Sequence, residues 1–200
     1  MIIYFLMLAA IALRFVPHMP NFAPITALAI FGGANLGWKK AAGLTLAVRF
    51  ISDIFLGFFS WPLMVAVYAA HLAGVLFGVW IKQPVGVIPS ASEGSLKQTP
   101  LVKGFFSRMR SFGLTHIKWV KITGSSLAAS TLFFLVTNFA FLYSGYAHNI
   151  SGIILAYANG LPFLRGTLMG DLGYSVALFG AYDLAVALKS SRSKLPPVVA

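Results

Sequence analysis

The 200-residue chain is too apolar for an ordinary soluble domain, because 58% of its residues are hydrophobic and only 10% are charged. Soluble domains carry about a quarter of their residues as charged side chains. The net charge is +11, and the chain contains no cysteine, which excludes disulfides, thiolate metal sites and a thiol nucleophile. The composition therefore indicates an integral membrane protein.

Apolar stretches predict six membrane-spanning helices, since a span needs roughly 17 to 25 residues. They lie near 1–16, 23–38, 41–59, 62–81, 122–143 and 166–188, and the first two are short. A further stretch, 150–164, is interrupted by Gly160 and Pro162. It is predicted to be an interfacial or re-entrant segment leading into the last helix. The predicted fold class is an all-α integral membrane protein, with one membrane domain over 1–200 built as a bundle of six transmembrane helices.

The basic residues are sorted among the joins between the predicted spans. Lysine and arginine occur between spans two and three, between spans four and five, and after span six, whereas the joins 17–22, 60–61 and 144–150 contain neither. Cationic loops stay on the cytoplasmic side of a membrane. This alternation predicts that the N and C termini are both cytoplasmic.

The long basic join, 82–121, divides into two parts. Pro84, Pro89 and Pro100 predict a flexible linker, and aromatic residues at helical spacing among basic residues predict a short helix over 101–114 on an anionic lipid surface. The lipid bilayer is therefore the expected partner of the basic residues. Nucleic acid is not an expected partner, because basic cytoplasmic loops are common in membrane proteins.

Ionisable residues inside the spans cost free energy, because the bilayer solvates charge poorly, and they therefore indicate a function or a specific packing role. Arg49 and Asp53 are four residues apart, on one helical face, with opposite charges. They are predicted either to form a structural ion pair or to contribute Asp53 to a polar pocket. Asp171 in the last span has no oppositely charged residue at that spacing, and Arg14 and Arg165 are its candidate partners.

His71 lies near the middle of the fourth span, three residues after Tyr68. A single histidine in a helical bundle is either a hydrogen-bonded core residue or, as a neutral imidazole, a ligand. His18 and His148 lie in the lysine-free joins and could share an outward-facing site with His71.

Aromatic rings and amide groups are concentrated in the lysine-free joins. Some of these aromatics are interfacial belt residues, but aromatic rings with a few polar anchors are also typical of a small-molecule pocket. The predicted substrate-binding residues are His18, Asn21, Phe22, Trp61, Tyr68, His71, Asn138, Tyr146 and Asn149.

Residues 14–34, RFVPHMPNFAPITALAIFGGA, resemble the opening of a family of small prokaryotic membrane proteins. These proteins are grouped with the substrate-binding S components of energy-coupling-factor (ECF) transporters. Three later stretches fit the same family: SDIFLG at 52–57, STLFFLVTNF at 130–139, and LPF at 161–163 followed by GDL at 170–172. The resemblance implies a six-helix bundle in the cytoplasmic (inner) membrane that binds a vitamin or related micronutrient from outside.

The resemblance leaves the mode of action open. S components work with an ECF energising module, made of a coupling subunit and ATPases, and their first helix usually has small residues four apart. Ala9, Ala10 and Ala12 provide no such pair, which favours a solitary member. The sequence is also similar to a solitary cobalamin-uptake group, in which His71 or His18 would have to act as the cobalt ligand. No cofactor is expected to be bound permanently, and cobalamin would be the transported ligand.

The expected function is therefore uptake of a micronutrient by a substrate-binding membrane subunit or solitary transporter. An enzyme is not expected, because the single Glu93 lies in the cytoplasmic join and no two histidines have ligand spacing on one helix. The alternatives are an intramembrane enzyme and an oligomeric channel or scaffold protein. The sequence also lacks a glycine-rich phosphate loop ending in Lys-Ser or Lys-Thr, so a partner would have to supply the energy.

Overall fold

The computed structural model describes residues 1–16, 21–82 and 100–192, without the side chains of 100–114, 140 and 191–192. The described residues contain six α-helices and a short 3-10 helix, and no strand occurs among them. The all-α prediction is confirmed. The α-helices are α1 (Ile2–Leu13), α2 (Ile25–Leu36), α3 (Trp38–Leu56), α4 (Trp61–Lys82), α5 (Pro100–Thr137) and α6 (Ile150–Arg192), and the 3-10 helix is Ala140–Leu142.

Three helical stretches in the described residues are long and apolar enough to cross a membrane: Trp61–Lys82, Thr115–Thr137 and Ile150–Ser190. Helices α1 and α2 are apolar but have only 12 residues each, or about 18 Å of length. Helix α3 has 19 residues and includes two lysines and the Arg49 and Asp53 side chains.

Helix α5 begins much earlier than the predicted span 122–143 and has 38 residues. Residues 100–121 are part of this helix, so the prediction of a separate short helix over 101–114 is wrong. Proline is tolerated at the start of a helix because its missing N–H would have no partner there, and no proline follows Pro100 until after α5 has ended. The prolines at 84 and 89, predicted to mark a linker, lie outside the described residues.

Helix α6 has 43 residues and continues through Pro162, so the predicted interruption of 150–164 is wrong. A proline removes one backbone hydrogen bond, and a helix that packs along another for much of its length can tolerate that loss. Gly160 lies against the side chains of Asn138 and Phe134, where an added Cβ would have no room. Gly160 therefore permits close packing of α5 and α6.

Helix α2 is the centre of the bundle. Residues 25–33 are all buried, and α2 contacts each of the other five α-helices. It runs parallel to α4 with the two backbones in direct contact, since a Cβ at Gly33 would meet Val75 and a Cβ at Gly78 would meet Ile30 and Ala34.

Helices α5 and α6 pack antiparallel. Three side-chain contacts define their register: Lys118 with Asp183, Ser126 with Ser175, and Ser130 with Asp171. Each step of eight or four residues along α5 is matched by an equal step in the opposite direction along α6. The two helices therefore keep one alignment over several turns.

The alternating helix directions give the bundle two chemically different ends. The lysine end holds the start of α3 with Lys39 and Lys40, the end of α4 with Lys82, and the end of α6 with Lys189. The lysine-free end holds residues 14–16, 21–24, 57–60 and 138–149, among which Arg14 is the basic residue.

Candidate functional site

A cavity of about 340 Å³ lies at the lysine-free end of the bundle. Its walls come from the residues after α1, from the start of α2, from α3 and the join that follows it, and from α4, α5, the join after α5 and α6. The polar lining is Arg14, Asn21, Thr26, Arg49, His71, Thr137, Asn138, Tyr143, Thr167 and Asp171, and the apolar lining is Ala23, Ile25, Phe59, Leu63, Val67, Phe133 and Phe163.

Each of the three long helices contributes one face to the cavity. The lining residues recur every four positions, which is the spacing of one helical face. The faces are Leu63, Val67 and His71 on α4, Phe133 and Thr137 on α5, and Phe163, Thr167 and Asp171 on α6.

Arg49 and Asp53 form a buried ion pair in the cavity wall. The Nη2 of Arg49 lies 2.8 Å from the Oδ1 of Asp53, and the Nε of Arg49 donates to Oδ2 at 3.0 Å. The hydroxyl of Tyr68 donates to the same Oδ2 at 2.9 Å. Tyr68 thus lies behind the cavity wall, where it supports the ion pair instead of lining the cavity.

His71 is 5% exposed, and its ring has a defined orientation. The Nδ1 lies 2.7 Å from the carbonyl oxygen of Val67. A carbonyl can only accept, so Nδ1 carries the proton and the Nε2 of the neutral ring is an acceptor. The rings of His71 and Phe133 pack in a T-shaped arrangement, with 5.2 Å between their centroids.

Asp171 is 1% exposed and is held by a hydroxyl group. The Ser130 hydroxyl donates to its Oδ2 at 2.7 Å. The ion pairs found in the described part of the chain are Arg49–Asp53 and Lys118–Asp183, so neither predicted partner, Arg14 or Arg165, pairs with Asp171 there. A serine at this position of α5 replaces the expected cation.

Three of the predicted binding residues line the cavity together: Asn21, His71 and Asn138. Asn21 has a positive φ of 59°, a conformation that asparagine adopts more readily than most residues. The side-chain amide of Asn138 donates to the carbonyl of Phe134 at 2.9 Å. The amide oxygen of Asn138 lies against Gly160 of α6, where an added Cβ would meet it.

Two predicted residues point away from the cavity. Trp61, the first residue of α4, is 76% exposed. The ring of Phe22 packs on Tyr174 of α6, with 5.3 Å between the centroids. Both positions lie near the cavity in the chain, but their side chains face the surface or a neighbouring helix.

The remaining predicted residues lie around the cavity or outside the described residues. The Tyr146 ring packs edge-on against Tyr143, with 5.9 Å between the centroids, and Tyr143 lines the cavity. The Asn149 Oδ1 accepts the Gly152 N–H at 2.9 Å, as helix-capping asparagines do. His18 lies outside the described residues.

The lining residues that sequence reasoning missed are mostly uncharged, such as Thr137, Tyr143, Phe163 and Thr167. The four-residue spacing that ends at Asp171 could have indicated Thr167 and Phe163. Within the described residues, no group of three His, Cys, Asp or Glu side chains could hold a metal ion.

Comparison with known proteins identifies a family without a known activity. A profile for the "Family of unknown function (DUF6580)" matches residues 1–195. No curated protein matches the chain, and no solved structure matches it. Because the match covers almost the whole sequence, the chain belongs to the DUF6580 family.

Proposed function

We propose that this protein is a membrane-embedded binding subunit, or solitary transporter, that takes up a small organic micronutrient from outside the cell. The observation that carries the proposal is the cavity at the lysine-free end, lined by buried polar groups from all parts of the bundle. Concave sites with an apolar lining and a few convergent polar groups are typical of small-molecule sites.

The membrane setting is supported by the surface of the bundle. Large apolar side chains are exposed on α1, α4 and α6, among them Phe5, Leu76 and Ile154. At the lysine end, Lys121 lies over the Trp80 ring at 5.0 Å, a combination typical of a membrane interface. In the proposed six-helix bundle, the short α2 crosses only part of the bilayer and the cavity occupies the remaining depth.

The orientation follows from the two ends of the bundle. Lysine-rich ends stay in the cytoplasm, so both termini would be cytoplasmic and the cavity would open to the outside of a prokaryotic inner membrane. Irregular backbone at membrane depth is tolerated where it lines a cavity, and residues 21–24, just before α2, would be such a segment.

The cavity volume favours a ligand smaller than a corrinoid. About 340 Å³ is at the lower end of the roughly 300–1,000 Å³ typical of ligand pockets, and cobalamin is much larger. Cobalamin would therefore fit only if most of it remained outside the cavity. Release to the inside would need either an ECF energising module or a rearrangement of the protein itself.

Mass spectrometry of small molecules that co-purify with the detergent-solubilised protein tests this function. Thr167→Trp should fill the cavity, whereas Met169→Trp places the same ring on the exposed side of α6, where Met169 is 47% exposed. We expect one compound to accompany the wild type and Met169→Trp but not Thr167→Trp. Identical extracts from all three proteins would contradict the proposal.

A further inference from the structure

The cavity wall contains two arginines, and of these Arg49 forms an ion pair, with Asp53. The Nε of Arg49 donates to the Oδ2 of Asp53, and the Nη2 of Arg49 lies 2.8 Å from the Oδ1. The Oδ2 also accepts the Tyr68 hydroxyl. The negative charge of Asp53 is therefore matched by the positive charge of Arg49, although the buried Oδ1 has no hydrogen-bond partner among the described residues.

Arg14, just after the end of α1, is the second arginine of the wall. Its Nε is buried and has no hydrogen-bond partner among the described residues. The charges of Arg49 and Asp53 both act on its guanidinium, so the three side chains together carry one excess positive charge. A buried charged donor without a partner is strongly unfavourable, which suggests that the partner is a ligand.

The other acidic group of the cavity does not supply this partner. Asp171 lies on the wall formed by α6, where the Ser130 hydroxyl donates to it and the Thr26 hydroxyl interacts with it. His71 is no substitute either, because its Nδ1 is bonded to Val67 and its neutral ring carries no negative charge. Among the described residues, Arg14 therefore forms an ion pair with neither Asp171 nor Asp53.

We propose, building on the proposed uptake function, that the ligand is a small organic carboxylate whose carboxylate group binds Arg14. The guanidinium fork matches a carboxylate in a bidentate arrangement. An inorganic anion would leave most of the roughly 340 Å³ unfilled, whereas a ring or short apolar body would contact Phe59, Phe133 and Phe163. The Asp171 carboxyl would accept hydrogen bonds from donors on that body.

Matched probes can test the charge of the ligand without knowing its identity. Benzoate, nicotinate and indole-3-acetate would each be compared with their primary amides and with benzylamine and tryptamine, using thermal shift of the purified full-length protein. Sodium phosphate and chloride at equal ionic strength would control for inorganic anions. We expect thermal stabilisation by at least one carboxylate and none by its amide, by the amines or by the inorganic ions.

Arginine variants locate the interaction. Arg14→Gln should weaken carboxylate binding about 10- to 100-fold, the range expected when a charged hydrogen bond is lost, and Arg14→Lys should retain part of the affinity. Arg165→Gln removes an exposed arginine that does not line the cavity, and should bind like the wild type. Without a ligand, the Arg14→Gln protein should unfold no more easily than the wild type, because the variant loses a cation whose buried Nε has no hydrogen-bond partner among the described residues.

The outcomes separate this inference from the binding function. The carboxylate assignment would be refuted if an amide or an amine stabilised the protein. It would also be refuted if a carboxylate stabilised the wild type and Arg14→Gln equally. In both cases the cavity would still be a binding site. Stabilisation by phosphate or chloride alone would reduce Arg14 to an inorganic-anion site. Absence of stabilisation by every probe, together with identical co-purifying compounds in the Thr167→Trp protein, would refute the binding function and the carboxylate with it.

Discussion

The two halves of the bundle are built from the same helices but packed in different ways. In the half toward the lysine end, Phe31 of α2 packs on Phe179 and Tyr182 of α6, with 5.1 Å and 5.9 Å between centroids, and Gly33 and Gly78 bring α2 and α4 into backbone contact. In the half toward the lysine-free end, the same helices separate around the cavity.

The placement of charge follows the same division. The Arg49–Asp53 pair beside the cavity is 7% and 1% exposed, whereas the Lys118–Asp183 pair near the lysine end is 37% and 38% exposed. Burying charges destabilises a protein unless they are paired and hydrogen-bonded. The half with the cavity therefore retains polar groups that lower stability, as functional sites commonly do, and the other half supplies the close packing that holds the fold.

The largest expected effect comes from unpairing the buried charges. Asp53→Asn should destabilise the detergent-solubilised protein by about 3–5 kcal/mol, since it leaves Arg49 buried beside Arg14 without a counter-charge. Adding Arg49→Gln should recover part of that loss. Thermal unfolding of the two single variants and the double variant measures the coupling, and a double variant as unstable as the sum of the singles would argue against pairing.

Substitution of glycine by alanine tests the close packing of α2 and α4 in the half toward the lysine end. Gly78→Ala should destabilise by about 1–3 kcal/mol, because the new Cβ would overlap the backbone of Ile30. Gly173→Ala on α6 meets no atom within 4 Å, so it should be neutral or gain the roughly 0.5–1 kcal/mol of helix propensity. Equal unfolding temperatures for the two variants would mean that α2 and α4 are not in backbone contact.

The exposed Lys118–Asp183 ion pair should contribute least to the stability of the protein. Lys118→Ala should change stability by about 0.2–1 kcal/mol, since a pair that is more than a third exposed is screened by solvent. The effect should shrink further in high salt. A loss of stability as large as that expected for Asp53→Asn would contradict the conclusion that burial makes the Arg49–Asp53 pair the more important of the two.

The sequence indicated the general fold better than it indicated helix lengths. All six α-helices have counterparts among the predicted spans, because apolar stretches set where helices form. The continuity of α6 through Pro162 could not be read from the sequence, since a proline acts as a breaker or is tolerated according to the packing around it. The length of α5 could not be read from the sequence either, because its apolar part, Thr115–Thr137, is preceded by a more polar stretch that belongs to the same helix.

The site was predicted only in part, for a similar reason. The spacing of Arg49 and Asp53 places them on one face, and His71 and Asn138 were singled out as polar groups in apolar surroundings. Trp61 and Phe22 were chosen by their position in the joins, but the direction of a side chain depends on neighbouring helices. Arg14 was considered only as a partner for Asp171, because its distance from Arg49 depends on how α1 packs.

The most direct test of the central claim is which side of the membrane the cavity faces. The chain has no cysteine, so Thr167→Cys in the cavity and Trp38→Cys at the lysine end would each carry one thiol. Labelling of intact cells with a membrane-impermeant maleimide compares the two. We predict that Thr167→Cys reacts in intact cells and that Trp38→Cys reacts only after the cells are opened. Reaction of Trp38→Cys in intact cells, with Thr167→Cys protected until they are opened, would contradict a cavity that captures its ligand from outside.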